Sequence, residues 1–152
     1  MKAITHLAAF ALAGSALVGT AFANTLEGWS TDLEKAFKDA KKQNKPVLVE
    51  FTGSDWCPPC KMMRKNVFSK EEFVSAASKE FILVELDFPN GDPEVKKKNE
   101  PYAKKYDIEG FPTVILFDPE GKEFNRFFAS EHPSTEAFLT HLKKSLENKD
   151  LD

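Results

Sequence analysis

Residues 47–61 read VLVEFTGSDWCPPCK, and the fold can be worked out from this stretch. Residues 47–51 are an apolar run with β-branched side chains, bounded by Gly53 and Ser54, the pattern of a short buried strand. Cys57 and Cys60 follow at once, and residues 60–67 (CKMMRKNV) have helix-forming composition. The cysteine pair is therefore expected at a strand-to-helix junction.

Toward the N-terminus, Leu33, Ala36, Phe37 and Ala40 recur at helical spacing, and Thr31 with Glu34 reads as a capping box opening a surface helix. Pro46 ends the Lys-rich stretch that follows. Toward the C-terminus, Ser69 and Glu72 read as a second capping box before Phe73, Val74, Ala76 and Ala77, and residues 81–88 return to strand character. Asp92 and Pro93 suit the N-cap and first position of a helix ending near Tyr106, with Lys96, Lys97 and Lys98 as a solvated face. Residues 113–117 and 122–128 are strands joined by Asp118, Pro119, Glu120 and Gly121, a hairpin turn. Pro133 and Ser134 open a last helix carrying Phe138, Leu139, Leu142 and Leu146 on one face. Alternating helices and strands followed by a hairpin imply an α/β sandwich, a central mixed sheet with helices on both faces. Phe51, Phe81, Phe117 and Phe138 are assigned to its core.

The first 23 residues carry Lys2, an apolar run over residues 7–18, and Ala21 and Ala23 as small exit residues, the pattern of a signal peptide cleaved after Ala23. The rival, a membrane anchor, is disfavoured because the run is interrupted by small and polar residues and falls short of the roughly 20 apolar residues a span needs. The mature chain, residues 24–152, suits one domain, exported and most readily periplasmic, with secretion as the other destination and no stable membrane insertion after cleavage. Twenty-one basic against 24 acidic residues in the whole chain argue against nucleic acid as a partner.

The chain has two cysteines, both in the mature part. A structural disulfide is the plain reading for an exported protein. Yet closing a four-residue ring removes only about 2 kcal/mol of denatured-state entropy, and a domain of this size needs no staple. A CxxC pair is half of many zinc sites, but for the other half the mature chain offers only His132 and His141, nine residues apart and with no further Cys, so no metal site is expected. Thiol-disulfide exchange needs one attacking thiolate and one resolving thiol, which this spacing supplies. A position just before a helix start lowers the pKa of Cys57 and makes it the expected nucleophile, with Cys60, inside the first turn, as resolving thiol.

Trp56-Cys57-Pro58-Pro59-Cys60-Lys61 after a strand, and Gly110-Phe111-Pro112-Thr113 before a hairpin, resemble the thioredoxin superfamily. The resemblance covers nearly all of the mature chain. Within the superfamily, residues 55–73 and the hairpin look most like the C-terminal thioredoxin-like domain of the membrane reductant carrier DsbD and related free-standing exported proteins. It implies a thioredoxin-like sandwich, with a cis Phe111-Pro112 bond beside the cysteines and the backbone at Phe111 free to pair with a substrate strand. A plain strand-initiating proline is the alternative. Glu50 matches the family's buried acid, which could take the proton of Cys60; otherwise it points to solvent at a strand end. The lysine that accompanies this acid in thioredoxin is absent, with Glu85 near its place. Trp56 is expected to pack beside the site, with an ordinary half-buried aromatic as the other reading. Asp55, Lys61, Arg64 and Lys65 either tune or dock, or are simply solvated.

Pro58 and Pro59 lack N–H groups and no His lies between the cysteines, which favours a reductant of client-protein disulfides over a thiol oxidase or isomerase. An exported reductant implies a membrane-bound dithiol electron donor. The Cys57–Cys60 disulfide is then the redox group, with no further cofactor. From another class, the alternative is a thioredoxin-fold binding module with an inert pair.

Overall fold

A computed structural model describes residues 25–150. The leader and its cleavage site lie outside the described residues. Four strands form one sheet: β1 (Val47–Thr52), β2 (Ile82–Asp87), β3 (Thr113–Phe117) and β4 (Glu123–Phe128), in the order β2-β1-β3-β4. β1 runs parallel to β2 and antiparallel to β3, which pairs antiparallel with β4, so the sheet is mixed as expected. The parallel pair needs a crossover, and the helices between residues 58 and 80 supply it.

Helices cover both faces. On one lie α1 (Leu33–Gln43) and α4 (Pro93–Lys105), whose Leu33, Ala36, Ala40, Tyr102 and Ala103 pack with Val47, Val49, Phe51, Val84 and Leu86. On the other lie α2 (Pro58–Met63), continued by a π-helical segment (Arg64–Phe68), with α3 (Glu71–Glu80) and α5 (Thr135–Lys149). Their Met63, Phe68, Phe73, Ala77, Phe138 and Leu142 pack with Leu48, Leu83, Val114 and Leu116. Alternate residues of β1, β2 and β3 thus feed opposite cores.

Two helix starts differ from the sequence reading. Asp32, not Thr31, caps α1, accepting the Lys35 N–H at 2.9 Å, while its own N–H is bound by Ser30 Oγ. Ser69 does not cap α3: its N–H closes the π-helical turn onto the Arg64 carbonyl at 2.9 Å, so it ends the preceding segment, and Lys70 begins α3 without a side-chain cap. The caps at Asp92 and Ser134 stand as read, accepting from Val95 N and Ala137 N. A bulge at Leu116/Phe117 interrupts the hairpin, which the sequence did not signal.

The core under α2, α3 and α5 is largely aromatic. Phe138 meets Phe68 and Phe73 edge-on at centroid distances of 5.2 and 5.4 Å, and Trp29 meets Phe68 at 5.3 Å. Close packing leaves such a site little room to collapse. Phe138→Ala is therefore expected to cost about 3–5 kcal/mol of unfolding free energy, read from urea denaturation. A loss below about 1 kcal/mol would mean that this cluster does not hold α5 to the sheet.

Candidate active site

β1 ends at Thr52, and the next four residues carry the chain to Cys57, the N-cap of α2. This short loop is tied to the far end of β2. Ser54 donates from N and from Oγ to Asp87, at 2.9 and 2.5 Å. The Asp55 carboxylate accepts from Asn90 N and Gly91 N at 2.9 and 2.7 Å, and Trp56 Nε1 donates to the Phe88 carbonyl at 2.8 Å. Gly53 is required here, because a Cβ would fall 2.5 Å from the Trp56 indole. The Asn90 and Gly91 donors hold the Asp55 carboxyl below its ordinary pKa. Its charge is thus engaged by two backbone dipoles, which weakens its repulsion of a Cys57 thiolate.

Cys57 and Cys60 are joined as a disulfide. Cys57 Sγ accepts the Cys60 N–H at 3.3 Å, and Cys60 Sγ accepts the Gly53 N–H at 3.5 Å, so Cys60 faces the strand end. Both are buried, Cys57 at 4% exposure and Cys60 at 1%, the expected order with a small margin. Pro58 and Pro59 occupy the first turn of α2 and bring no N–H toward the sulfurs.

The Phe111-Pro112 peptide is cis. Its loop is held by Ala129 N donating to the Pro112 carbonyl at 2.9 Å and Thr113 Oγ1 donating to the Gly110 carbonyl at 2.7 Å. Phe111 meets the Trp56 ring edge-on at 5.6 Å, so the CxxC loop and the cis-proline loop touch through aromatic side chains. Trp56 remains 42% exposed, and Met62 and Phe128 are also exposed apolar groups.

Glu50 is buried, on the sheet face that α2 covers, with Leu48 and Thr52 as its same-face neighbours along β1. Oε1 has no hydrogen-bond partner. Burial, then the neighbouring Glu85 charge, pushes its carboxyl well above the usual range, against a smaller pull from Arg64. Glu85 sits beside it in register on β2 and is ion-paired with Arg64. The sequence placed Glu85 near the absent lysine but left Arg64 among residues that either tune, dock or are simply solvated. No local pattern announces this pair, because Arg64 reaches Glu85 only once the crossover is packed. Lys61 and Lys65 are exposed, in keeping with solvated side chains.

His132 and His141 do come together, stacked at 4.0 Å against Phe127, although nine residues separate them. Burial and the second ring lower the His141 pKa. Among the described residues no group of three or more His, Cys, Asp or Glu side chains could hold a metal ion, and no helix there is long and apolar enough to cross a membrane.

A disulfide at the first turn of a helix, beside a cis-proline loop on a four-stranded mixed sheet, defines a thiol-disulfide oxidoreductase. The chain belongs to the thioredoxin-like family, which it matches over residues 28–119. It is 34% identical over 122 residues to the disulfide bond reductase DsbH of Chlamydia pneumoniae, covering 78% of this chain and 72% of that one. It is 33% identical over 116 residues to the thiol:disulfide interchange protein DsbD of Cronobacter sakazakii, covering 76% of this chain but 19% of that much longer one. A solved DsbH oxidoreductase structure superposes with a TM-score of 0.70 at 28% identity, covering 92% of this chain and 95% of that one.

Glu50 has a consequence for stability. Its folded-state pKa is raised, so its contribution is fully present below the unfolded value near 4.5 and is lost as pH rises through the folded value. Glu50→Gln should accordingly gain stability relative to the parent protein as pH rises from about 5, read by urea unfolding between pH 5 and 9. A difference that stays flat with pH would place the Glu50 carboxylate in a solvated or fully compensated site.

Proposed function

We propose that the Cys57–Cys60 dithiol reduces disulfides of client proteins outside the cytoplasm. Residues 1–23 serve as the export signal, the periplasm is the working compartment, and a membrane-bound dithiol protein supplies the electrons. The observation that carries the direction is the donor count at Cys57. Among the described residues only the Cys60 N–H reaches its sulfur, because Pro58 and Pro59 fill the first turn. A thiolate with few donors is weakly stabilised, and a weakly stabilised reduced state is a reducing one. The similarity to a protein described as a disulfide bond reductase points the same way.

In this reading the Cys57 thiolate attacks one sulfur of the client disulfide, releasing the other as a thiolate and forming a mixed disulfide. Cys60 then gives its proton to the Glu50 carboxylate and attacks Cys57. The Cys57–Cys60 bond forms, the bond to the client breaks, and the client leaves as a second thiolate that takes a proton from water. The client gains two electrons and the protein becomes the disulfide. Trp56 and Phe111, backed by the buried cis Pro112, form the surface on which the client strand lies, paired to the Phe111 backbone. The disulfide is the redox group, and the mechanism calls on no other cofactor or metal.

Cys60→Ser should accumulate client proteins in mixed disulfides with Cys57, while Cys57→Ser should trap none, on non-reducing gels of periplasmic extract. The reverse pattern would exchange the two roles, and trapping by neither would favour a binding module.

The potential of the couple should lie near that of thioredoxin, about −270 mV, measured by equilibration with glutathione. The strong oxidants lie near −120 mV, about 150 mV away or roughly 7 kcal/mol for two electrons, so the test is coarse enough to decide. A value above about −150 mV would overturn the reductant reading in favour of an oxidase.

A further inference from the structure

The parallel register of β1 and β2 puts two buried carboxyl side chains, Glu50 and Glu85, side by side, at 1% and 3% exposure. Two buried carboxylates in contact range repel and are both desolvated. The π-helical segment opens with Arg64, whose Nη1 pairs with Glu85 Oε1. With Glu50 protonated, the group Glu50, Glu85, Arg64 is neutral. With Glu50 ionised, it carries one net negative charge.

The other groups facing this cluster are few. Thr52, the next same-face residue of β1, lowers the Glu50 pKa through a hydrogen bond, and Asp87, two residues beyond Glu85 on β2, adds negative charge at the rim, where it is bound by Ser54, while Cys60 Sγ sits just past the end of β1 on the Gly53 N–H. β3 brings apolar Val114, paired to Glu50 in the sheet. A cleft of about 390 Å3, lined by Ser54, Asp55, Arg64, Glu85, Asp87 and Asn99, opens the ion pair to solvent, whereas Glu50 is not in its lining. Glu50 Oε1 stays without a hydrogen-bond partner.

We propose that the Arg64–Glu85 ion pair is a positioning device for the resolving step, holding a compensated negative charge beside Glu50 and so setting the pH at which Glu50 accepts the Cys60 proton. The inference rests on Glu50 acting in that step. Glu85 raises the proton affinity of Glu50 and Arg64 lowers it. The two halves of one ion pair therefore act on Glu50 with opposite sign. A pair that merely fastens α2 to β2 has no such signature, because losing either half would only loosen the structure.

The test follows thiol release from Ellman's reagent by the reduced full-length mature protein in stopped flow, from pH 5 to 9. The first nitrothiobenzoate released reports attack by Cys57. The second reports attack by Cys60 on the mixed disulfide, and the midpoint of its pH profile reports proton acceptance by Glu50. Glu85→Gln, which leaves the Arg64 charge facing Glu50, should lower that midpoint by about one unit. Arg64→Gln, which leaves two unpaired buried carboxyls, should raise it by about one unit, and Arg64→Lys should restore it. The profile of the first release should not move with the second.

Midpoints that stay put, or move in the same direction, overturn the proposal. Where Arg64→Gln does not fold, the isosteric Glu85→Gln decides alone, and a midpoint unmoved or raised overturns it. Glu50→Gln separates the two levels of the argument. Loss of the second-phase midpoint in that variant keeps Glu50 as acceptor and leaves only the ion pair in question. Its retention removes Glu50 from the step, and this proposal with it.

Discussion

The parallel pairing of β1 with β2 is the constraint on which the active site depends. A register that aligns Glu50 with Glu85 also aligns Thr52 with Asp87, and from Asp87 and the residues after it come the groups that hold the CxxC loop. A slip of one residue would turn Leu48 and Leu83 out of the aromatic core and move the carboxyls to the other face. Apolar burial along the strands therefore holds the acids in a place they would not choose. Desolvating a carboxyl is costly, and the Arg64 pairing offsets that cost for Glu85 but leaves Glu50 with a poorly solvated oxygen. An acid in that condition binds a proton more tightly than in water.

Elements whose signals are local were legible in the sequence. β3 occupies residues 113–117 as read, and β2 differs by one residue at each end, because β-branched and aromatic runs between turn residues specify strands without outside help. Asp92 followed by Pro93 left one choice of cap. Ser30, Thr31 and Asp32 left three oxygen-bearing side chains in a row, and tertiary geometry chose Asp32. Ser69 failed as a cap because the preceding segment widens into a π-helical turn that uses its N–H first.

The same distinction runs through the site. Cys57, Cys60 and Pro112 stand in contiguous motifs and could be located by spacing and resemblance. Glu50 could be placed in a strand, though its burial needed the sheet. The Arg64–Glu85 pair spans 21 residues and the Asp55 bonds span 35 and 36, so no pattern within one element could show them. An arginine on a short amphipathic helix reads as solvated until the strand beneath it is known.

The anchoring of the loop bears on what the disulfide is for. Closing a ring of four residues contributes about 2 kcal/mol at most by chain entropy, little beside two apolar cores that fill both faces of the sheet. Ser54, Asp55 and Trp56 meanwhile fix the backbone before Cys57 by hydrogen bonds that involve neither sulfur. The helix start and the approach to Cys57 are thus held by bonds other than the S–S bond. Because the fold does not rest on it, the bond is free to open and close, and a pair that must cycle between two electronic states needs such a scaffold. A staple and a redox centre are told apart by what else holds the surrounding chain. Here that chain is held from β2 and its following loop.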